Sequence, residues 1–354
     1  MTNTQGEIRG NRFDFLRLIF AGFVFAYHLL VLPALASPAL QGMFARLAEL
    51  SIQGFFIISG LLVYGSWQRS KTLALYVAKR VRRLYPAYVA VILIPAIFAL
   101  LRGGALPEII KYVLSNLAFL NFLHPTLPGM FETNPFPVVN GALWTLKIEV
   151  MFYMALPVMG WMLAKAGPYK WALMVLIYLA AEVWRYYFSH AEFIYSAQLA
   201  RQLPGQMSFF ITGMALRTLH AHLRDNLQIT FVIAMGLLAL SYLPMFGVMR
   251  AVGLGGLIFA IAYAPGPKLN AARFGDISYG LYITHFPIIN GLVAIGVFAN
   301  QPLQGYVWAV VLVVIASLTL WHLIEKPFLH PSSHYRQVGR HGRHKAGRQT
   351  NQDI

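Results

Sequence analysis

The sequence predicts an all-α fold: a polytopic membrane protein of about ten transmembrane helices, with N-terminus and C-terminus both cytoplasmic. Three observations carry this expectation. Of the 354 residues, 58% are hydrophobic and only 11% charged, whereas soluble domains are roughly 25% charged and have no place for so much apolar surface. Apolar windows of about 20 residues, the length of a bilayer-crossing helix, recur along the whole chain. The 28 Lys and Arg residues are also spread unequally over alternate connections, and that asymmetry orients membrane helices.

The candidate spans are 13–36, 50–67, 84–101, 141–164, 171–189, 204–219, 228–246, 250–265, 277–299 and 303–325. The first is too long for a cleavable leader and lacks a small-residue exit, so it is expected to stay as a helix. The N-terminus, connections 68–83, 165–170, 217–227 and 266–276, and the tail hold 20 of the 28 basic residues. The opposite-side connections hold only Arg46, Arg102, Lys111, Arg185, Arg201 and Arg250, and Arg17 and Lys147 lie within spans. Cytoplasmic termini and an even span count agree with this distribution.

Connection 102–140 is long and falls on the outer side. Its first part, Pro107 to Phe122, reads as an interfacial helix. Its second part, with Pro125, Pro128, Pro135 and Pro137, reads as an extended lid or plug, or as a plain surface connector. Counting 107–122 as a span would put the basic tail outside, against the charge bias. The chain thus divides into a transmembrane domain, 1–330, and a basic, disordered cytoplasmic tail, 331–354.

Cysteine is absent, which excludes disulfides, thiolate metal sites and thiol nucleophiles. The net charge of +16 sits beside spans, which suits anionic membrane lipids or an anionic cosubstrate rather than nucleic acid. No metal is expected, because the histidines lack ligand spacing. No phosphate-cradling glycine loop and no serine-hydrolase elbow is present.

Ionisable groups at membrane depth cost at least about 2.5–3.5 kcal/mol and are retained for a reason. In the first span, Arg17 and His28 are eleven residues apart, which puts them on one helical face roughly 16 Å apart. A cation near one surface and a titratable base deeper in the span suit a long anionic ligand. The second span carries Gly54-Phe55-Phe56-Ile57-Ile58-Ser59-Gly60, where glycines permit close approach of either a helix or a ligand. In the connection that follows, Lys79-Arg80-Val81-Arg82-Arg83 suits topology and lipid binding, or a clamp on a phosphorylated cosubstrate.

The fourth span contains Trp144-Thr145-Leu146-Lys147-Ile148-Glu149, followed by Phe152-Tyr153. Glu149 and Tyr153 share a face, and the buried carboxylate needs a partner, for which His28 or an arginine would serve. An interhelical ion pair is the structural alternative. In the ninth span Ser278, Tyr282 and His285 form one stripe of hydrogen-bonding heads. Glu325, at the end of the tenth, is expected to pair with a loop arginine.

Taken in order, these segments resemble the membrane-bound acyltransferase-3 family, which includes bacterial O-acetyltransferases of polysaccharides. Asp14 to Arg17 followed by His28 resembles its opening signature; Gly54 to Gly60 its second-helix motif; Arg80 to Arg83 its Arg-x-x-Arg element. Trp144 to Glu149, Ile277 to His285 and Glu325-Lys326-Pro327-Phe328 resemble its later helices. Thr145, where serine is common, and Lys147, where a neutral residue is usual, depart from the pattern. Some relatives carry a soluble hydrolase-like domain after the last helix; with about 25 residues following it here, any such step is expected to need another protein.

The resemblance implies an integral membrane O-acyltransferase of the cell inner (plasma) membrane. It would move an acyl group, acetyl first, from acyl-CoA to a hydroxyl of a cell-surface glycan or similar acceptor. It further implies Arg17, Arg80, Arg83 and Ser59 at the CoA donor, and His28 as general base oriented by Glu149. Trp144, Tyr153, Ser278, Tyr282 and His285 would line the substrate, with Tyr282 or Ser278 donating to the oxyanion. The competing reading is a proton-coupled secondary transporter or flippase, which also uses buried His, Glu and Arg.

Overall fold

A computed structural model describes residues 11–331 and 333, apart from 268 and 270–275. The expected tail falls, from residue 334 on, outside the described residues. Among the described residues the fold is helical, with no strand beyond an isolated bridge between Leu127 and Met130. The longer helices are α1 (Phe13–Val31), α2 (Pro38–Gln68), α3 (Leu73–Leu101), α4 (Leu106–Leu117), α5 (Trp144–Lys165) and α6 (Lys170–His190). They continue with α7 (Leu203–Thr218), α8 (Leu227–Leu240), α9 (Arg250–Tyr263), α10 (Ser278–Ala294) and α11 (Pro302–Leu320). A π-helical turn, Trp321–Glu325, extends α11.

Each candidate span contains a helix, but several boundaries differ from the hydropathy windows. The first helix stops at Val31 rather than at residue 36, because Pro33 disfavours helical backbone just before it. α2 starts at Pro38, where a proline at the first helical position loses no hydrogen bond. α3 starts at Leu73, so the Lys79–Arg83 run is not a loop. Its Ala, Leu, Lys and Arg residues are good helix formers that a hydropathy window does not register. Arg80 and Arg83 are therefore neighbours on one helix face.

Among the described residues, five helices are long and apolar enough to cross a membrane: Phe13–Val31, Pro38–Gln68, Leu73–Leu101, Gly141–Lys165 and Pro302–Phe328. The other five expected spans form α6 to α10, which fall short in length or apolarity. Burial explains part of this. α7 encloses Gln206, Ser208 and Thr212, and α10 encloses Thr284, His285 and Asn290. A helix wrapped by protein need not present an apolar surface to lipid.

The chain splits into two compact units. The first comprises residues up to Phe20, then Arg46–Leu73 and Thr145–Leu269. Its core crossing is α2 against α7. A Cβ on Gly60 would lie 2.1 Å from the Phe210 carbonyl oxygen, and one on Gly213 would lie 2.1 Å from that of Ile57. The two backbones touch where the side chains vanish. Around this crossing, Phe152 stacks on Phe210 at 4.3 Å and meets Phe56 edge-on at 5.3 Å. Arg12, just before α1, donates to the carbonyl of Ile261 in the last turn of α9 and to those of Pro265 and Pro267 just beyond it.

The second unit comprises Ala21–Ala45, Ala74–Trp144 and the described residues from Asp276 on. In it α10 packs on α11, with Gly280 against Ser317. The expected interfacial helix is α4, shorter than forecast. Ile109, Tyr112 and Asn116 are buried, while Leu106, Ile110 and Leu114 form an exposed apolar stripe, as a helix lying in an interface requires.

Residues 118–143 run back over this unit without regular secondary structure until Gly141. They are held by asparagines. Asn134 donates to the Asn290 backbone oxygen at 2.9 Å, and Asn290 Nδ2 donates to the carbonyls of Phe136 and Val138, both at 2.9 Å. Asn140 Nδ2 donates to the Ile283 carbonyl at 2.8 Å. That carbonyl is open because its helical donor would be residue 287, which is proline. The segment is thus a tethered strap rather than a loose connector.

Candidate active site

His28 lies in the last turn of α1 and is partly exposed, whereas His285 in α10 is fully buried, at 0% exposure. His285 Nε2 is 2.9 Å from His28 Nδ1. His28 Nδ1 is also 3.0 Å from the Val24 carbonyl oxygen, and His285 Nδ1 is 3.0 Å from that of Leu281. Both rings are thereby anchored to their own helices one turn back. Aromatic edges enclose the pair: Phe286 packs 5.2 Å from His28, Phe25 lies 6.0 Å from His285 and Tyr282 lies 6.1 Å from it. Gly141, next to the Asn140 tether, approaches the Phe286 ring so closely that a Cβ would sit at 2.7 Å. An imidazole whose ring plane is fixed and whose edge stays accessible can accept a proton in a defined direction.

A second polar cluster of the same unit is made of charges. Arg83 Nη2 binds Asp276 at 2.5 Å, and Nη1 binds Glu325 at 2.8 Å. Both carboxylates are 1% exposed and the guanidinium 16%. The guanidinium also faces the rings of Tyr279 and Trp321, at 5.8 and 5.9 Å. Asp276 further accepts from the Ser278 hydroxyl at 2.6 Å. Glu325 therefore pairs with an arginine as the sequence suggests.

Two of the expected site residues meet carboxylate partners here. Arg83 is engaged by two carboxylates, which offset its positive charge and weaken its pull on a phosphate. Ser278 donates its hydroxyl proton to Asp276. Of the expected donor-side cations in this unit, Arg80 is half-buried on the same face of α3.

In the other unit, Glu149 accepts from the hydroxyls of Ser59, at 3.3 Å, and Tyr153. The i, i+4 pairing with Tyr153 follows the shared face. The partners are two neutral donors instead of the cation or imidazole that a carboxylate in a span invites. Arg17 is half-buried in the part of α1 that belongs to this unit; Trp144, the half-buried first residue of α5, belongs to the second unit.

The structure thus brings together His28, His285 and Tyr282; Arg83 and Ser278, through Asp276; and Ser59, Glu149 and Tyr153. Asp276 and Asn140 were not singled out by sequence reading. Each left a signal. Asp276 is one of only 12 acidic residues and stands directly before the Ile277–His285 motif. Asn140 answers the proline four residues after Ile283. Among the described residues no group of three or more His, Cys, Asp or Glu side chains could hold a metal ion.

Comparison with known proteins adds to this geometry. A family model described as an acyltransferase domain matches residues 11–325. Nodulation protein 10 of Rhizobium leguminosarum bv. viciae is 27% identical over 92% of this chain and 95% of its own length. An O-acetyl transferase of Shigella phage Sf6 is 27% identical over 92% of this chain and 98% of its own. No solved structure matches the chain.

Proposed function

The chain belongs to the acyltransferase-3 family, and from that premise we propose an integral membrane O-acyltransferase that uses His28 as general base. The donor is acyl-CoA, acetyl-CoA first, and the acceptor is a hydroxyl of a cell-surface glycan. The protein crosses the inner (plasma) membrane several times, in the ten-span arrangement with cytoplasmic termini that the Lys/Arg distribution favours.

The observation that carries the reading is the His28 ring, fixed by Val24 and His285 yet partly exposed. Histidine suits this work because its ordinary pKa near ~6.5 lets it take and return a proton at neutral pH. In the reaction, His28 removes the proton of the acceptor hydroxyl as that oxygen attacks the thioester carbonyl. A C–O bond forms, the C–S bond breaks, and the same proton passes to the departing thiolate. Tyr282, with its ring beside His285, is the proposed donor to the developing oxyanion. Arg80 remains the proposed contact to the phosphates of CoA, while Arg83 is reassigned to structure. Arg17, Ser59, Glu149, Tyr153 and Trp144 are further candidates, each open to single substitution with a kinetic readout.

Transfer is favoured over transport because the family match spans the same residues that carry the polar motifs. The test uses purified protein in detergent with acetyl-CoA and a hydroxyl acceptor, followed by thiol release. The wild type should liberate CoA, and His28→Ala should lose about 10²–10⁴-fold in kcat, the range of general-base catalysis. A folded His28→Ala protein at the native rate would overturn the base assignment. Absence of acceptor-dependent thiol release in the wild type would overturn acyl transfer from CoA.

A further inference from the structure

The hydrogen-bond chain through the two imidazoles fixes which nitrogen of His28 is reactive. A backbone carbonyl oxygen only accepts, so His285 Nδ1, at 3.0 Å from the Leu281 carbonyl, carries a proton. In a neutral His285 the other nitrogen, Nε2, is then a bare lone pair. That lone pair meets His28 Nδ1 at 2.9 Å, so His28 Nδ1 must carry the proton between them. The Val24 carbonyl, 3.0 Å from the same nitrogen, requires a proton there independently. Neutral His28 is left with Nε2 as its only unprotonated nitrogen. The opposite arrangement would place the Val24 oxygen against a lone pair and would make buried His285 a cation.

From this we infer that His285 is a positioning residue: it holds His28 as the Nδ1-protonated tautomer and so presents Nε2 as the base. The role differs from that of a substrate-lining residue. His285 is wholly enclosed, and the ring beside it is the accessible one. When His28 gains a second proton, Nδ1 still donates to His285, so the charged form keeps its hydrogen bond. The inference rests on His28 being the base for its kinetic consequence, but the tautomer itself does not depend on any activity.

The tests separate the two. Nitrogen-15 histidine NMR of the resting protein should show neutral His28 protonated at Nδ1, and His285→Leu should weaken that preference to what the Val24 carbonyl alone sustains. His285→Leu, which offers no acceptor, should lower kcat by about 10²–10⁴-fold with little change in the KM for acetyl-CoA. His285→Gln, whose side-chain oxygen can accept from His28 Nδ1, should recover most of the loss, whereas a purely space-filling role would be served equally by leucine. Native kcat in His285→Leu, or a His28 protonated at Nε2, would overturn the positioning role. Native kcat in His28→Ala would instead overturn the base assignment and leave the tautomer result standing.

Discussion

The two polar clusters of the second unit differ in one respect that separates reactivity from structure. Around Arg83, one cation faces two carboxylates, Asp276 and Glu325, and every partner is nearly or wholly enclosed. Around His28, two imidazoles share one hydrogen bond, no ion pair to either is seen among the described residues, and His28 is partly exposed. A compensated cluster gains nothing from a proton or a ligand and resists change. A neutral imidazole pair still has a nitrogen lone pair with which to take a proton from a substrate. Charge density is therefore a poor guide to the chemistry of this chain. The residues that looked most like a phosphate clamp include one that is already clamped.

The largest expected effect lies on the compensated side. Arg83→Ala removes the counter-ion that two buried carboxylates share, and breaking a buried pair in this way costs about 3–5 kcal/mol. Thermal unfolding in detergent should show a large fall for Arg83→Ala, whereas Arg80→Ala should keep the native transition and raise the KM for acetyl-CoA. An Arg83→Ala protein with native stability and only a raised KM would return Arg83 to the donor site.

The α2–α7 crossing comes next. Gly213→Val or Gly60→Val inserts carbon where a Cβ would sit 2.1 Å from a backbone oxygen of the facing helix, and overpacking of this kind costs about 1–3 kcal/mol or more. Loss of folded yield on detergent extraction is expected for both. Normal yield would mean that the helices can separate without penalty.

A smaller effect is expected at the strap. Asn140→Leu strands the Ile283 carbonyl, at a cost of about 1–3 kcal/mol for an unsatisfied buried acceptor. Adding Pro287→Ala supplies the missing helical N–H, so the double variant should be less destabilised than the sum of the two singles. Strict additivity in that cycle would show that Asn140 does not answer the proline. The least effect belongs to the exposed Glu108–Lys111 pair. Lys111 holds the Glu108 carboxyl below its ordinary range through a hydrogen bond, yet water screens both groups. Lys111→Ala should leave the unfolding temperature unchanged and let the Glu108 pKa rise, as NMR titration would report.

Local rules accounted for much of the molecule. Apolar windows located helices in all the expected places, and the mixed segment after residue 106 is the amphipathic α4. Shared-face spacing paired Glu149 with Tyr153. Where the windows failed, they failed for local reasons as well: lysines and arginines that continue α3, and a proline that ends α1 early.

Helical periodicity acts over three or four residues, so the order of amino acids was enough to dictate a chain of apolar helices with His28, His285, Glu149 and Arg83 at fixed positions along them. Partnership arises only in three dimensions. His28 meets a ring 257 residues away, and Arg83 meets Glu325 across 242. Those meetings depend on how far each helix slides and turns against its neighbour. That register is set by whole interfaces, by glycines that let backbones touch and asparagines that answer a proline, and no short motif encodes it.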